Sequence, residues 1–481
     1  MTFDLTLTVT YFAFILGFGV IIANLMKKAK IPDAFFLLLL GLVLGPTVFM
    51  NPAVTQYVHL TLVDVNAMGA IPDFLRMLAI ILTVFVAMFN LRLDIFKKFS
   101  SVSIKLAMVG VVFNTVFAGL VAHLIFGMNP IYALLLGAVI SGTGTGVILT
   151  FKDSLAKYKN SLTVINVESI FNSPFAAIFL LLFLGMVTME PGALFEPIRY
   201  GGQLWLMIVA GLGTGVLVGF AVSKLIKTML SQYSSLILFA IALITYALAE
   251  NVGGSGILAV AVCGLVAGNF GFPEKERNHV NTFDDQFSEM LRISIFTLLG
   301  AQVMLIFDPS QLLLGFVFFL ILFLVRPIFV IPMLGKERSK YSKKDIIIMS
   351  FIAPKGDSEA ALAPLVAAAL VGAGALEAGN QIMNIIFLVI TFSILFSTLV
   401  AIIMSTKKVQ EISFNFPKRE AKESGEKYEE KEKKKPHPEK EKFHDAKLDD
   451  FEEEKKEPTK KLEEEYVVVK EDKTAKPRKK K

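Results

Sequence analysis

Residues 353–360 read Ala-Pro-Lys-Gly-Asp-Ser-Glu-Ala, inside an apolar run that extends from about 345 to 371. Three charges, Lys355, Asp357 and Glu359, stand there beside Pro354 and Gly356, residues that interrupt a helix. A charge at bilayer depth costs a few kcal/mol or more and is kept mainly where it serves an ion or proton path. Lys355 and Glu359 are four residues apart, the spacing of a pair along one helix face, whereas Asp357 projects to a different face from both. At a membrane end the same residues would be ordinary interfacial charges; the apolar sequence on either side argues against that reading.

Working outward, Glu168, Arg292 and Arg326 also lie within or at the edge of long apolar runs. A spanning helix needs about 20 mostly apolar residues. That rule gives about thirteen spans: 6–26, 33–50, 71–91, 105–126, 131–151, 162–187, 202–228, 234–250, 255–270, 289–307, 310–334, 345–371 and 379–404. The eighth and ninth are separated only by NVGGSG, so the two could be one. The predicted class is an all-α polytopic membrane protein, residues 1–404, followed by a charged tail, 405–481. Composition agrees: 54% of residues are hydrophobic and only 19% charged, with much of the charge in the tail. Forty-two Phe against one Trp suits a lipid-facing surface, although the usual interfacial Trp belt is nearly missing.

The first apolar run has no basic region before it and no small-residue cleavage site, so it reads as a span rather than a signal peptide. Short basic loops stay cytoplasmic. Lysines or arginines follow the first, third, fifth, ninth and eleventh spans and end the seventh, while the opposite loops hold little beyond Arg199. The N-terminus is therefore expected outside and the C-terminus in the cytoplasm, in the cell membrane. The tail (KYEEKEKKKPHPEKEKFH, FEEEKKEPTKK) is too charged to bury a core and reads as disordered. Its terminal KPRKKK could touch anionic headgroups. The net charge of +6 is not a nucleic-acid signal, and no nucleic-acid partner is expected. Cys263, the single cysteine, excludes an intramolecular disulfide, and the five His lack metal-ligand spacing. No nucleophile–base pair, nucleotide loop or cofactor motif is present, so an enzyme is not expected.

Two further segments carry chemistry. In the fifth span, Ser141-Gly142-Thr143-Gly144-Thr145-Gly146 alternates hydroxyls with glycines. Either the helix breaks there and offers backbone ends to a small ion, or the glycines line a close helix contact. In the sixth span, Glu168 and Asn172 share a face, Ser169 and Ser173 stand beside them, and Pro174 removes a helical hydrogen bond. Four oxygen-bearing side chains suit a hard cation or a proton relay. Equally, Glu168 could be a structural acid paired with a basic residue. Arg292 and Arg326 are expected to pair with buried carboxylates. If Glu168, Asp357 and Glu359 face Arg292, Arg326 and Lys355, the site is neutral and an added cation must displace a proton.

These segments resemble the monovalent cation/proton antiporters of the NhaP and eukaryotic sodium/proton exchanger type, over about residues 10–404. KIPDAFFLLLLGLVLGP, FVAMFNLRLDIFKK with Asp94, AENVGGSGILAVAVCGLVAGN, FTLLGAQV and LVRPIFV carry the resemblance together. It implies two broken helices crossing in a core of inverted repeats, a separate dimerisation domain and hence a homodimer, and exchange of sodium or another monovalent cation for protons. Glu168, Ser169 and Asn172 match family positions. The centre departs: the family's Thr-Asp-Pro appears as Thr143-Gly144-Thr145, its Asn-Asp as Asn172-Ser173, and its Arg-Gly as Lys355-Gly356. The expectation is that Asp357, Glu359 or both replace the missing carboxylates, with Thr143, Thr145, Ser169, Asn172 and Ser173 as neutral ligands. The alternatives are an uncoupled or altered-specificity ion pathway, or a non-transporting scaffold, on the same fold.

Overall fold

The chain is all-helical in the computed structural model, which describes residues 5–29, 31–46, 62–187, 197–229, 234–271, 274–303 and 309–406. Residues 407–481 lie outside the described residues, so the expectation of a disordered tail falls there. The helices are α1 (Leu5–Ala29), α2 (Ala34–Leu44), α3 (Ile71–Phe89), α4 (Leu93–Phe126), α5 (Pro130–Ile140), α6 (Thr145–Thr150), α7 (Lys159–Val187), α8 (Pro197–Met229), α9 (Ser234–Asn251), α10 (Gly256–Phe270), α11 (Glu274–Gln302), α12 (Pro309–Leu334), α13 (Lys343–Phe351), α14 (Asp357–Gly372) and α15 (Leu376–Ser405).

Each expected span holds one helix or one interrupted pair, though boundaries move. The second helix ends at Leu44 rather than 50, the fourth starts at Leu93 rather than 105, and the tenth starts at Glu274 rather than 289. Among the described residues, eight helical segments are long and apolar enough to cross a membrane, and α2, α9 and α10 are shorter apolar helices. Local sequence explains many ends. Asn129 caps α5 by accepting from the Ile131 amide, with Pro130 at the first helical position. Gly127 ends α4 in the left-handed region at φ 63°. The eighth and ninth spans are distinct: α9 and α10 are separated by a turn in which Gly253 takes φ 74°, and Ser255 caps α10.

Close helix contacts test the span count, because spans of like parity run parallel. Gly211, Gly215 and Gly219 of α8 face Ser255, Ala259 and Val266 of α10 in the same order, as the seventh and ninth spans should. Gly119 and Gly137 place α4 antiparallel to α5, as the fourth and fifth should be. Gly41 and Gly45 of α2 meet Gly300 and Ala301 of α11 backbone to backbone, again parallel.

The described surface exposes many large apolar side chains, and a few charged ones are buried within an apolar core. Val9, Trp205, Leu217 and Ile328 are exposed, while Arg76, Glu168, Asp357 and Glu359 are buried. A surface of this kind suits hydrocarbon rather than water. At its centre α5 and α6 are separated by Ser141–Gly144, and α13 and α14 by Ile352–Gly356.

Candidate ion-binding site

The two interruptions meet through their backbones. Gly144 N–H donates to the Pro354 carbonyl at 2.8 Å. A Cβ on Gly144 would stand 2.8 Å from Gly356 Cα, and one on Gly356 2.9 Å from Gly144 Cα, so neither residue can carry a side chain without displacing the other strand. The other two glycines of the motif make room for acids. A Cβ on Gly142 would meet Glu359 Oε1 at 3.0 Å, and one on Gly146 would meet Asp357 Oδ2 at 2.8 Å. The two readings of this motif are thus both part of the structure: the helix breaks, and its glycines form a close contact, with the second interruption as partner.

The charges of the second interruption serve the ends of the first. Lys355 does not run along a helix face with Glu359, because it precedes α14; its Nζ donates to the Gly142 carbonyl at 2.6 Å, and its own amide donates to Ser393 Oγ at 2.9 Å. Asp357 Oδ2 accepts from the Gly146 amide at 3.1 Å. Glu359 Oε2 accepts from the Gly356 amide at 2.8 Å, a one-sided capping box, since glycine has no side chain to return the bond. The second oxygens, Asp357 Oδ1 and Glu359 Oε1, are buried without a hydrogen-bond partner, and so is Asn172 Oδ1. Buried polar atoms are nearly always paired, so three orphaned acceptors around one crossing suit a bound cation or proton.

On α7, Asn172 Nδ2 donates to Thr143 Oγ1 at 3.1 Å and to Glu168 Oε1 at 3.4 Å. Arg326 Nη2 reaches both oxygens of Glu168, at 2.9 and 3.0 Å. Glu168 is thus ion-paired with a basic residue. Ser173 Oγ accepts from Ser358 Oγ at 2.7 Å, which ties α7 to α14. Ser169 Oγ is spent within its own helix on the Asn166 carbonyl, and Thr145 is buried at the start of α6.

Arg292 corrects the expected charge balance. Its guanidinium takes both oxygens of Asp33, at 2.7 and 2.5 Å, and both oxygens of Glu289, at 2.6 and 2.9 Å. The forked donor set of Arg favours such two-point pairing, so Arg292 is committed to Asp33 and Glu289 rather than to Glu168, Asp357 or Glu359. Sequence reasoning passed over Asp33, which stands just before α2, where an acid is ordinarily a cap. It also passed over Arg76, which is buried in α3 and donates to Asp73 and Gln302; the Asp73 three residues earlier was the available signal. The side chain of Asp94 lies outside the described residues.

The family described as "Sodium/hydrogen exchanger, transmembrane" matches residues 12–406. The chain belongs to the sodium/hydrogen exchanger family. Among this exchanger's relatives, the probable Na(+)/H(+) antiporter 2 of Methanocaldococcus jannaschii is 26% identical over 314 residues, 62% of this chain and 70% of that one. The K(+)/H(+) antiporter NhaP2 of Shewanella sp. (strain MR-4) is 29% identical over 302 residues, 61% of this chain and 50% of that one. The solved structure of the sodium proton antiporter MjNhaP1 from Methanocaldococcus jannaschii superposes with a TM-score of 0.70 at 22% identity, covering 85% of the exchanger and 100% of that chain. This likeness shows the fold.

Proposed function

We propose that this exchanger moves a monovalent cation and protons in opposite directions, with Asp357 and Glu359 holding them in turn. Family membership supports antiport as the activity. The observation that carries the residue assignment is the charge balance at the crossing. Glu168 is matched by Arg326, and Arg292 by Asp33 and Glu289. Among the described residues, Lys355 is then the cation that donates a hydrogen bond into the crossing, beside two buried carboxylates that each keep one unpartnered oxygen. Ionised together, these groups leave one excess negative charge in a low-dielectric site, a state that is costly unless neutralised. One proton or one monovalent cation supplies the balance, and the two exclude each other. Thr143, Thr145, Asn172, Ser169 and Ser173 are the neutral groups around it; of these, Thr143 and Asn172 hold the α7 side of the crossing.

Sodium is the first cation to test and potassium the second, since the similar proteins are named for one or the other. We further propose that the protein sits in the cell membrane as a homodimer, with its N-terminus outside and its C-terminus in the cytoplasm; the basic loops and the family resemblance support this. The test uses purified protein in liposomes with a trapped pH dye, a sodium gradient and zero membrane potential. Sodium-dependent proton movement in the native chain, lost in Asp357→Asn/Glu359→Gln, is the expected result. Undiminished exchange in that variant would refute the assignment.

A further inference from the structure

The Asp33–Arg292–Glu289 cluster lies outside the crossing yet touches its edge. The aliphatic stem of Arg292 and the carboxylate of Asp357 flank the same glycine: a Cβ on Gly146 would stand 3.3 Å from Arg292 Cδ and 2.8 Å from Asp357 Oδ2. A guanidinium on that stem has two possible destinations, Asp357 or the acids on its other side. The structure shows the second. Asp33 forgoes capping α2, the usual work of an acid before a helix, and gives both oxygens to Arg292. Glu289, one turn back on α11, gives both of its own. Side-chain exposure falls from Glu289 at 47% to Arg292 at 14% and Asp33 at 11%, so the cluster leads from the surface to the buried Asp357.

We infer that Asp33 and Glu289 are positioning residues for exchange: they hold Arg292 off Asp357 and so keep that carboxylate free for the transported cation. The inference rests on the reading of Asp357 as an ion-holding group. With Asp33 gone, only Glu289, the exposed end of the cluster, still holds Arg292; the Nη donors that served Asp33 turn to Asp357 and compete with the cation for it. Competition of that kind raises the apparent KM for the cation and leaves the rate at saturating cation nearly unchanged. The cation must then displace a charge-assisted hydrogen bond from Asp357, so the rise is about tenfold or more.

The experiment compares sodium-driven proton exchange in proteoliposomes for the native chain, Asp33→Asn, Arg292→Gln, Asp33→Asn/Arg292→Gln and Asp357→Asn, after size-exclusion chromatography has shown each to be folded. Asp33→Asn is expected to raise the sodium KM about tenfold with little change in maximal rate. Removing Arg292 in the same chain is expected to bring KM back toward the native value. A double variant no better than Asp33→Asn would overturn the inference, because a purely structural ion pair gains nothing from losing its second half. A native KM in Asp33→Asn would overturn it too. If Asp33→Asn does not fold, Glu289→Gln, at the exposed end of the cluster, is read in its place, with the same direction, a smaller rise and the same rescue by Arg292→Gln. Asp357→Asn separates the two levels: retained exchange there refutes the site assignment itself, whereas lost exchange beside a native Asp33→Asn refutes only the tether.

Discussion

The first interrupted helix and the second cross at one point and carry unlike chemistry. From Ser141 to Gly146 the first has hydroxyls and glycines and no charge; from Pro354 to Glu359 the second has one cation and two acids. The first supplies a bare carbonyl at Gly142, a bare amide at Gly146 and clearance at three glycines; the second answers with the side chains of Lys355, Asp357 and Glu359, and with its own backbone at Gly144. Polarity at the crossing is therefore one-sided by construction. Gly142 and Gly146 of the first interruption leave room for Glu359 and Asp357 of the second.

The largest expected effect breaks the comparison at its charged side. Asp357→Asn/Glu359→Gln should reduce sodium-driven proton movement in proteoliposomes to that of protein-free vesicles; surviving exchange would place the ion on the neutral strand after all. Next comes the neutral side. Gly144→Ala puts a methyl against Gly356 Cα, where both partners are backbone and neither can rotate away. Overpacking of this sort costs about 1–3 kcal/mol, so the melting temperature in detergent should fall and most exchange should go with it. Gly213→Ala, on an open face of α8, is the control and should leave exchange unchanged and the melting temperature no lower, since Ala favours a helix interior over Gly. A Gly144→Ala protein that behaves like this control would show that the strands do not need their contact.

Lys355→Gln sharpens the comparison by removing the cation and leaving both acids. The pair should then hold a transported cation more tightly, with a lower sodium KM and a lower maximal rate in the same assay. An unchanged KM would confine Lys355 to the Gly142 carbonyl. Ser173→Ala is the smallest test. It removes two neutral hydrogen bonds, one from Ser358 and a longer one to the Ser169 carbonyl, each for about 1 kcal/mol, and exchange should largely persist. Its abolition would make Ser173 a ligand and move weight to α7.

Much of the fold could be read from residues because the membrane imposes one length on every span and helix breakers stand out against it. The Pro354–Gly356 interruption stood out for that reason, and a helix break at Ser141–Gly146 and a basic partner for Glu168 were each one of two readings the residues left open. Partner choice was less visible. Nothing local in SEMLRISIF says that Arg292 faces Asp33, 259 positions away in the chain, rather than a nearer acid. Lys355 and Glu359 have helical spacing, but the break comes between them in effect, since the helix begins only at Asp357. Spacing rules apply within a continuous helix, and the residues that matter most here stand where the helix stops.

The glycine contact between α2 and α11 acts as a ruler. Gly41 lies eight residues beyond Asp33, and Gly300 lies eight beyond Arg292. The two helices therefore carry equal lengths, about 12 Å, between a steric lock and an ionic one. Sliding one helix past the other would lose both at once. The glycine contact and the ion pair together fix one register between α2 and α11, which sets where along α11 the Arg292 charge stands.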